Sequence, residues 1–200
     1  MTGPRFTSWH WAAAALLAGE LLVAGLVFLP QPSAAYRAQF LDRVDCWHGG
    51  TGGSYRLGET VRPRFETPQA GPEGIFACGW MTLEDGAWSL GHGAHLFFRL
   101  PADRAAAPLQ LRLRARALVA PRQPEQRVEL FANGTPLPSL RLDNGTVEDI
   151  DIDIPAAITA AGTLDIRLSF PDAASPRGLG IGSHRGALAL YLEAVTLSPK

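Results

Sequence analysis

LQLRLRARALV (109–119) and TVEDIDIDI (146–154) are the two stretches whose reading decides the fold. In the first, Leu109, Leu111, Leu113 and Ala115 alternate with Arg112, Arg114 and Arg116. In the second, Ile150, Ile152 and Ile154 alternate with Asp149, Asp151 and Asp153. Successive side chains of a β-strand point to opposite faces, so a period of two makes one face apolar and the other charged. QRVELFA (126–132), TLDIRLSF (163–170) and ALALYLEAVTL (187–197) repeat the pattern, the last with a phase slip at Glu193-Ala194. Weaker strand signals lie at Tyr55–Val61, Gly74–Met81 and Ala94–Leu100. Asn133-Gly134 supplies the left-handed pair of a tight hairpin, and Asn144-Gly145 reads as a second turn. Both Asn-Gly-Thr triplets also match the glycosylation sequon, but a turn explains each. Pro155–Ala161 has room for one helical turn in a crossover. Seven or eight one-sided strands must bury their apolar faces against one another, and two packed antiparallel sheets do so. The expected fold is therefore an all-β, jelly-roll-like antiparallel β-sandwich over 54–200.

Upstream of it, WHWAAAALLAGELLVAGLVFL (9–29) is apolar except for His10 and Glu20. At 1.5 Å per residue such a run is about 30 Å long, the thickness of a bilayer core. Trp9 and Trp11 stand where an interfacial aromatic belt would lie, and Pro30 and Pro32 end the helix. Residues 1–30 thus read as an N-terminal transmembrane helix. The rival reading is a cleaved signal, with Arg5 as the positive flank and Ser33-Ala34-Ala35 before Tyr36 as the cleavage stretch. The apolar run exceeds the usual signal core in length. Both readings export the remainder of the chain, which places a C-terminal domain in the bacterial periplasm behind a linker at 31–53. Glu20 at mid-bilayer is costly, and two explanations stand: a contact with an integral membrane partner protein, or a protonated, tolerated carboxyl in a lone anchor.

Composition narrows the function. A net charge of −1 and a pI near 6.5 supply no basic field for nucleic acid. The 21 glycines and 16 prolines suit a turn-rich β architecture. Cys46 and Cys78, exported together, are expected to pair, closing a loop worth roughly 3 kcal/mol in the chain-entropy model; two buried free thiols are the alternative. They lack the paired spacing of a zinc site. His48, His92, His95 and His184 show no spacing that demands a metal, so neither metal nor cofactor is expected. No Ser-His-Asp order or nucleophile elbow is present, and the adjacent Glu84 and Asp85 would point apart on a strand, so no enzyme activity is expected.

The densest group of unusual residues is GWMTLEDGAWSLGHGAHL (79–96), with Trp80, Glu84, Asp85, Trp88, His92 and His95. Tryptophan beside carboxylates can hold a sugar ring, the indole face on its C–H groups and the acids on its hydroxyls. The same tryptophans could instead plug the end of a sandwich. The arginine row (112, 114, 116) and aspartate row (149, 151, 153) read as solvent faces that would pair if their strands were neighbours.

The motif order resembles a known group of domains. Leu57-Gly58-Glu59-Thr60-Val61 is followed by Gly79-Trp80 and by Asp85-Gly86-Ala87-Trp88-Ser89-Leu90-Gly91. Then come Leu100-Pro101, Asn133-Gly134 and the Leu-Gly-Ile-Gly to Ala-Leu-Ala-Leu stretch at 179–190. Together these resemble the galactose-binding-like jelly-roll domains appended to bacterial membrane glycosyltransferases and phosphoglycerol-transferase-like proteins of envelope polysaccharide synthesis. The similarity covers about residues 55–198, and only its Trp-centred turn is distinctive. Such domains usually sit beside a catalytic or multi-span region, which these residues do not contain, and their turn commonly has Pro-Glu where this chain has Leu83-Glu84. The resemblance implies a non-catalytic module near glycan assembly, with Trp80, Glu84, Trp88, His92 and Arg185 as the residues to examine for a glycan ligand.

Overall fold

The computed structural model describes residues 8–28, 46, 53–63, 74–102 and 106–200. A helix, α1, runs Ser8–Phe28. Among the described residues, no helix is long and apolar enough to cross a membrane. Arg5, Pro30, Pro32, the small residues at 33–35 and most of the 31–53 linker lie outside the described residues.

The rest is a β-sandwich of twelve strands among the described residues. They are β1 (Gly53–Ser54), β2 (Thr60–Val61), β3 (Phe76–Cys78), β4 (Trp80–Thr82), β5 (Ala87–Ser89) and β6 (Gly93–Arg99). After them come β7 (Leu109–Ala117), β8 (Gln126–Ala132), β9 (Thr135–Leu142), β10 (Glu148–Ile154), β11 (Thr163–Ser169) and β12 (Leu190–Pro199). Two short helices interrupt them, α2 (Ala156–Thr159) and α3 (Pro176–Leu179). Sheet A has the order β1-β6-β11-β8-β9 with β3 also on β6; sheet B has β10-β7-β12-β5-β4 with β2 also on β12. Pairing is antiparallel except for β1 beside β6.

The long strands bury the residues that alternation selects. Leu109, Leu111, Leu113 and Ala115 of β7 are sealed in one core with Leu96, Phe98, Leu130, Leu164, Ile166 and Leu168 of sheet A. The charged rows meet as neighbours: Asp151 opposes Arg112 and Asp149 opposes Arg114. Arg112 donates to Asp151 through Nε at 2.7 Å and Nη2 at 3.0 Å, which holds the Asp151 carboxyl below its usual range. The phase slip is real, a bulge between Leu192 and Ala194 opposite β7. Asn133 (φ 47°) and Gly134 (φ 78°) form the β8–β9 hairpin. Asn133 also staples it to β11: its Nδ2 donates to the Ile158 and Thr163 carbonyls, and its Oδ1 accepts from Asp165 N–H.

Three expectations need correction. Tyr55–Val61 is not one strand, because a turn at Arg56–Glu59 with Gly58 at φ 87° separates β1 from β2. Gly74–Met81 is split at Gly79 (φ 78°), where the chain leaves sheet A for sheet B. Ala87–Ser89, read as part of a turn, is a strand, and β9 has no counterpart among the expected strands.

Cys46 and Cys78 are bonded, their Cα atoms 6.0 Å apart, and Cys46 packs with Ala77 and Phe97 outside the main core. The two alternatives for the thiols thus resolve in favour of the bridge.

Gly79 carries a close approach. A Cβ there would lie 2.1 Å from the Gly93 carbonyl oxygen and 2.6 Å from Ala94 Cα, whereas one at Gly91, with nearly the same φ of 77°, meets nothing within 4 Å. Gly91→Ala is expected to cost about 1 kcal/mol, the conformational penalty alone. Gly79→Ala should cost clearly more, about 2 kcal/mol or above, because backbone must shift as well. Urea unfolding of the two variants side by side checks this; equal losses would remove the contact from the account.

Candidate functional site

The period of two, applied across the register of sheet B, assembles a row of side chains on its outer face. Met81 pairs with Trp88, Trp88 with Tyr191, and Tyr191 with Arg116, across β4, β5, β12 and β7. The Trp88 and Tyr191 ring centroids are 5.2 Å apart with the planes at 55°. The Arg116 guanidinium carbon lies 4.8 Å from the Tyr191 centroid and 5.4 Å from that of Trp88. A guanidinium over aromatic faces is attracted by their quadrupoles, so the row is a packed unit.

The β4–β5 turn presses on this row. Leu83 N–H donates to the Gly86 carbonyl at 2.7 Å. A Cβ on Gly86 would come within 2.5 Å of Tyr191 Oη, so only glycine lets the turn lie this close. The neighbouring Asp85 hydrogen-bonds the Tyr191 hydroxyl. Burial above all, then this bond and the Asp85 charge, push that hydroxyl up to about 12, against the opposing effect of Arg116. Beside the row lies a depression of about 390 Å³ lined by Arg62, Glu84, Asp85, Arg116, Val147, Tyr191 and Glu193. Glu193, the bulged residue of β12, accepts from Arg114 at 3.0 Å and lies 4.0 Å from Arg62. Glu84 has no ion-pair partner among the described residues and keeps its carboxylate for solvent or ligand.

The five residues singled out by sequence do not form one site. Trp88 and Glu84 come together here. Trp80, although close to them in the chain, is turned toward the core. Its Nε1 donates to the His95 carbonyl at 2.8 Å and its ring meets Phe76 edge-on, centroids 6.3 Å apart. That is the plug reading. His92 belongs to sheet A's side of the molecule, with Nδ1 3.1 Å from the Phe170 carbonyl oxygen. It borders a second depression of about 470 Å³ with His95, Arg167 and Ser169. Arg185 stands exposed on the loop after α3 and lines neither depression. Glu20 is exposed on α1. Tyr191 and Arg116 were missed by sequence reasoning. The signal that could have found them is the register itself, once β12 is set antiparallel to β7. Among the described residues, no group of three His, Cys, Asp or Glu side chains is placed to hold a metal ion.

No family model matches the chain, and no curated protein is similar to it. Among solved structures it is similar to the CBM36-1 domain of a multidomain xylanase from the hindgut metagenome of Trinervitermes trinervoides. The identity is 12%, 57% of this chain and 78% of that one are covered, and the TM-score is 0.38. It is also similar to a carbohydrate-binding module CBM36 determined with calcium and xylotriose, at 15% identity, 72% and 92% coverage and a TM-score of 0.38. A third is an acetyl xylan esterase from the rumen bacterium Butyrivibrio proteoclasticus, at 10% identity, with 72% of this chain but 33% of the esterase covered and a TM-score of 0.41.

The raised Tyr191 hydroxyl fixes a sign for alkaline stability. Its neutral form is favoured by folding, so that contribution is complete below the ordinary tyrosine range near 10 and is lost as pH rises toward about 12. In a spectrophotometric titration, Tyr191→Phe should delete a late phenolate step near pH 12 and flatten the loss of stability above pH 10. An unaltered late step in the variant would take Tyr191 out of the packed row.

Proposed function

We propose that this chain is a non-catalytic, membrane-anchored periplasmic β-sandwich that holds a glycan on the outer face of sheet B and assists an enzyme of envelope polysaccharide synthesis. The observation that carries the reading is the Trp88–Tyr191–Arg116 row beside Glu84 and Asp85. Half-exposed indole offers a surface for sugar C–H groups, while flanking carboxylates and guanidinium groups offer acceptors and donors for hydroxyls. The anchor rests on the sequence of residues 9–29, where Glu20 is the one charged residue and Trp9 and Trp11 mark an interface. The described side chains of α1 are all exposed, leucines included, which water disfavours and lipid accepts. A disulfide in the domain beyond it agrees with an oxidising compartment.

Glu20 favours a second role, accessory subunit of a larger membrane complex, since a carboxylate within an apolar helix gains from a partner. Gentle-detergent purification from the native membrane separates the two. A stoichiometric partner lost on Glu20→Leu is expected of a subunit, and a lone monomer of a free-standing glycan binder.

Calorimetric titration of the full chain in lipid nanodiscs with envelope oligosaccharides tests the glycan reading. Saturable heat is expected, with affinity reduced about tenfold in Trp88→Ala, the scale of one lost aromatic contact. Absence of heat with the unaltered protein, or a Trp88→Ala variant that binds equally well, rules the site out.

A further inference from the structure

The connection between β11 and β12 is the longest excursion from the sandwich among the described residues, and its own hydrogen bonds shape it. Its neck is a reciprocal backbone pair, Ala174 N–H to the Leu188 carbonyl at 3.1 Å and Leu188 N–H to that of Ala174 at 3.0 Å. Ser175 caps α3 by accepting from Gly178 N–H at 3.0 Å, and Gly180 ends that helix at φ 75°. Arg177 N–H then crosses the loop to the His184 carbonyl at 3.0 Å. A loop folded on itself in this way has the means to turn an apolar side chain inward. Ile181 instead is 47% exposed, the most of any large hydrophobic side chain described in the sandwich. Leu90 follows at 46%. It stands in the β5–β6 turn at the same end of the molecule, where Gly91 N–H donates to the Ala187 carbonyl at 2.9 Å.

Basic side chains gather around these two. Between Ala173 and Leu192 the chain has Arg177, His184 and Arg185 and no acid. The β7–β8 connection, joined to the neck by Gln123 Nε2 donating to the Asp172 carbonyl at 2.8 Å, adds the exposed Arg122. Among the described residues none of these three arginines is in an ion pair, whereas Asp172 and Glu125 beside them are taken up by Arg127 and Arg141. Asp143 and Glu148 at this end are also in no ion pair, but they flank the β9–β10 connection and not the loop that carries Ile181. Glu84 and Asp85 stand at the far end of β5. The chain's tether leads to the same end. Cys46 is bonded to Cys78, and the next residue, Gly79, accepts from Leu90 N–H at 2.7 Å. Residues 29–45 join that bridge to the end of α1, a reach of at most about 60 Å.

We infer that this end of the sandwich is a docking face for an anionic lipid surface, with Ile181 and Leu90 entering the headgroup region and Arg122, Arg177 and Arg185 on lipid phosphates. The inference rests on the membrane anchor proposed above and not on the glycan site. Apolar side chains ringed by guanidinium groups combine the two contributions to interfacial binding, apolar burial and attraction to anionic headgroups. Each is weak alone. The tether holds the face within reach of the bilayer and so raises its effective concentration there. Docking by this end sets the strands on end over the lipid and leaves the Trp88–Tyr191 row on the flank of the sandwich, open to a ligand.

The test uses the full chain, with 13C-labelled isoleucine methyl groups, in nanodiscs of phosphatidylglycerol or phosphatidylcholine that carry a lipid spin-labelled near its headgroup. Co-elution of the chain with the discs in high salt reports the anchor, and methyl broadening reports the docked face. The chain is expected to stay with discs of either lipid. The Ile181 methyl should be broadened strongly in phosphatidylglycerol and far less in phosphatidylcholine, while that of Ile154, at the opposite end of β10, stays sharp in both. Arg177→Gln and Arg185→Gln, at exposed positions, should each lower the docked-to-free ratio about fivefold, the scale of one basic side chain at an anionic surface. A chain that leaves the discs in high salt overturns the anchor and this inference with it. A chain that stays while Ile181 remains sharp, broadens equally in both lipids or ignores the arginine variants overturns the docking alone. An Ile181 shift that grows with protein concentration and not with lipid charge assigns the face to a second copy and overturns it as well.

Discussion

The register of β7 is the constraint on which the rest of the sandwich depends. This nine-residue strand is held on one side by β10 and on the other by β12, and its outward positions begin with Gln110 and continue with Arg112, Arg114 and Arg116. A slip of one position would drive three guanidinium groups into a core where Leu109, Leu111 and Leu113 are now sealed. The opposed aspartates of β10 reinforce the pairing without deciding it, because exposed ion pairs are individually weak. Burial selects the face, and the charges then settle into the register that burial has chosen. The bulge in β12 follows from the same demand. By looping out Glu193 it keeps Leu192 and Val195 both inward, and it delivers an extra carboxylate to the edge of the Tyr191–Arg116 row.

The edges of sheet A are closed by different means. β9 is an outer strand whose Pro136 and Pro138 lack N–H donors, which disfavours the addition of a further strand. At the other side, Cys46 reaches Cys78 over a separation of 32 residues and buries itself against Ala77 and Phe97. The bridge fixes β3, and through it the wall of the depression that Cys78 lines. Gly79 then turns the chain to the other sheet in one residue. The junction of the two layers thus depends on a covalent bond and on a missing side chain in consecutive positions.

What the sequence makes legible is burial by alternation. β7, β8, β10, β11 and β12 announce themselves by it, and even the β12 bulge is visible as a change of phase, whereas β6, buried at five successive positions, gives only a weak signal. β9 is not legible, because TPLPSLRL is largely exposed, so no apolar period survives; only the Asn133-Gly134 pair before it signals a returning strand. The break at Gly79 is hidden because Ile75–Met81 is apolar on both sides of it, and periodicity cannot register a change of sheet. The same blindness affects the site. Trp88 and His92 are close in the chain, but β5 belongs to sheet B and β6 to sheet A, so the short turn between them sends the two side chains to opposite faces. Tyr191 and Arg116, far apart in the chain, are the true neighbours of Trp88. Nearness in sequence is a poor guide to a site on a sandwich, where register brings together what the chain separates.

Arg116 sets what the aromatic row can hold. Its guanidinium already lies over both rings, so a ligand that stacks there must either use the remaining edge of Trp88 or displace the arginine. Displacement forfeits a contact worth about 0.5–1 kcal/mol at an exposed site, less than an aromatic contact with a well-fitted ring can return. The arginine would then stand free beside Glu84 and Asp85, available to a ligand hydroxyl as a donor. A glycan stacked there, on the reading proposed above, would have to undo a contact the protein makes with itself, and that lowers the affinity each stacked ring can contribute.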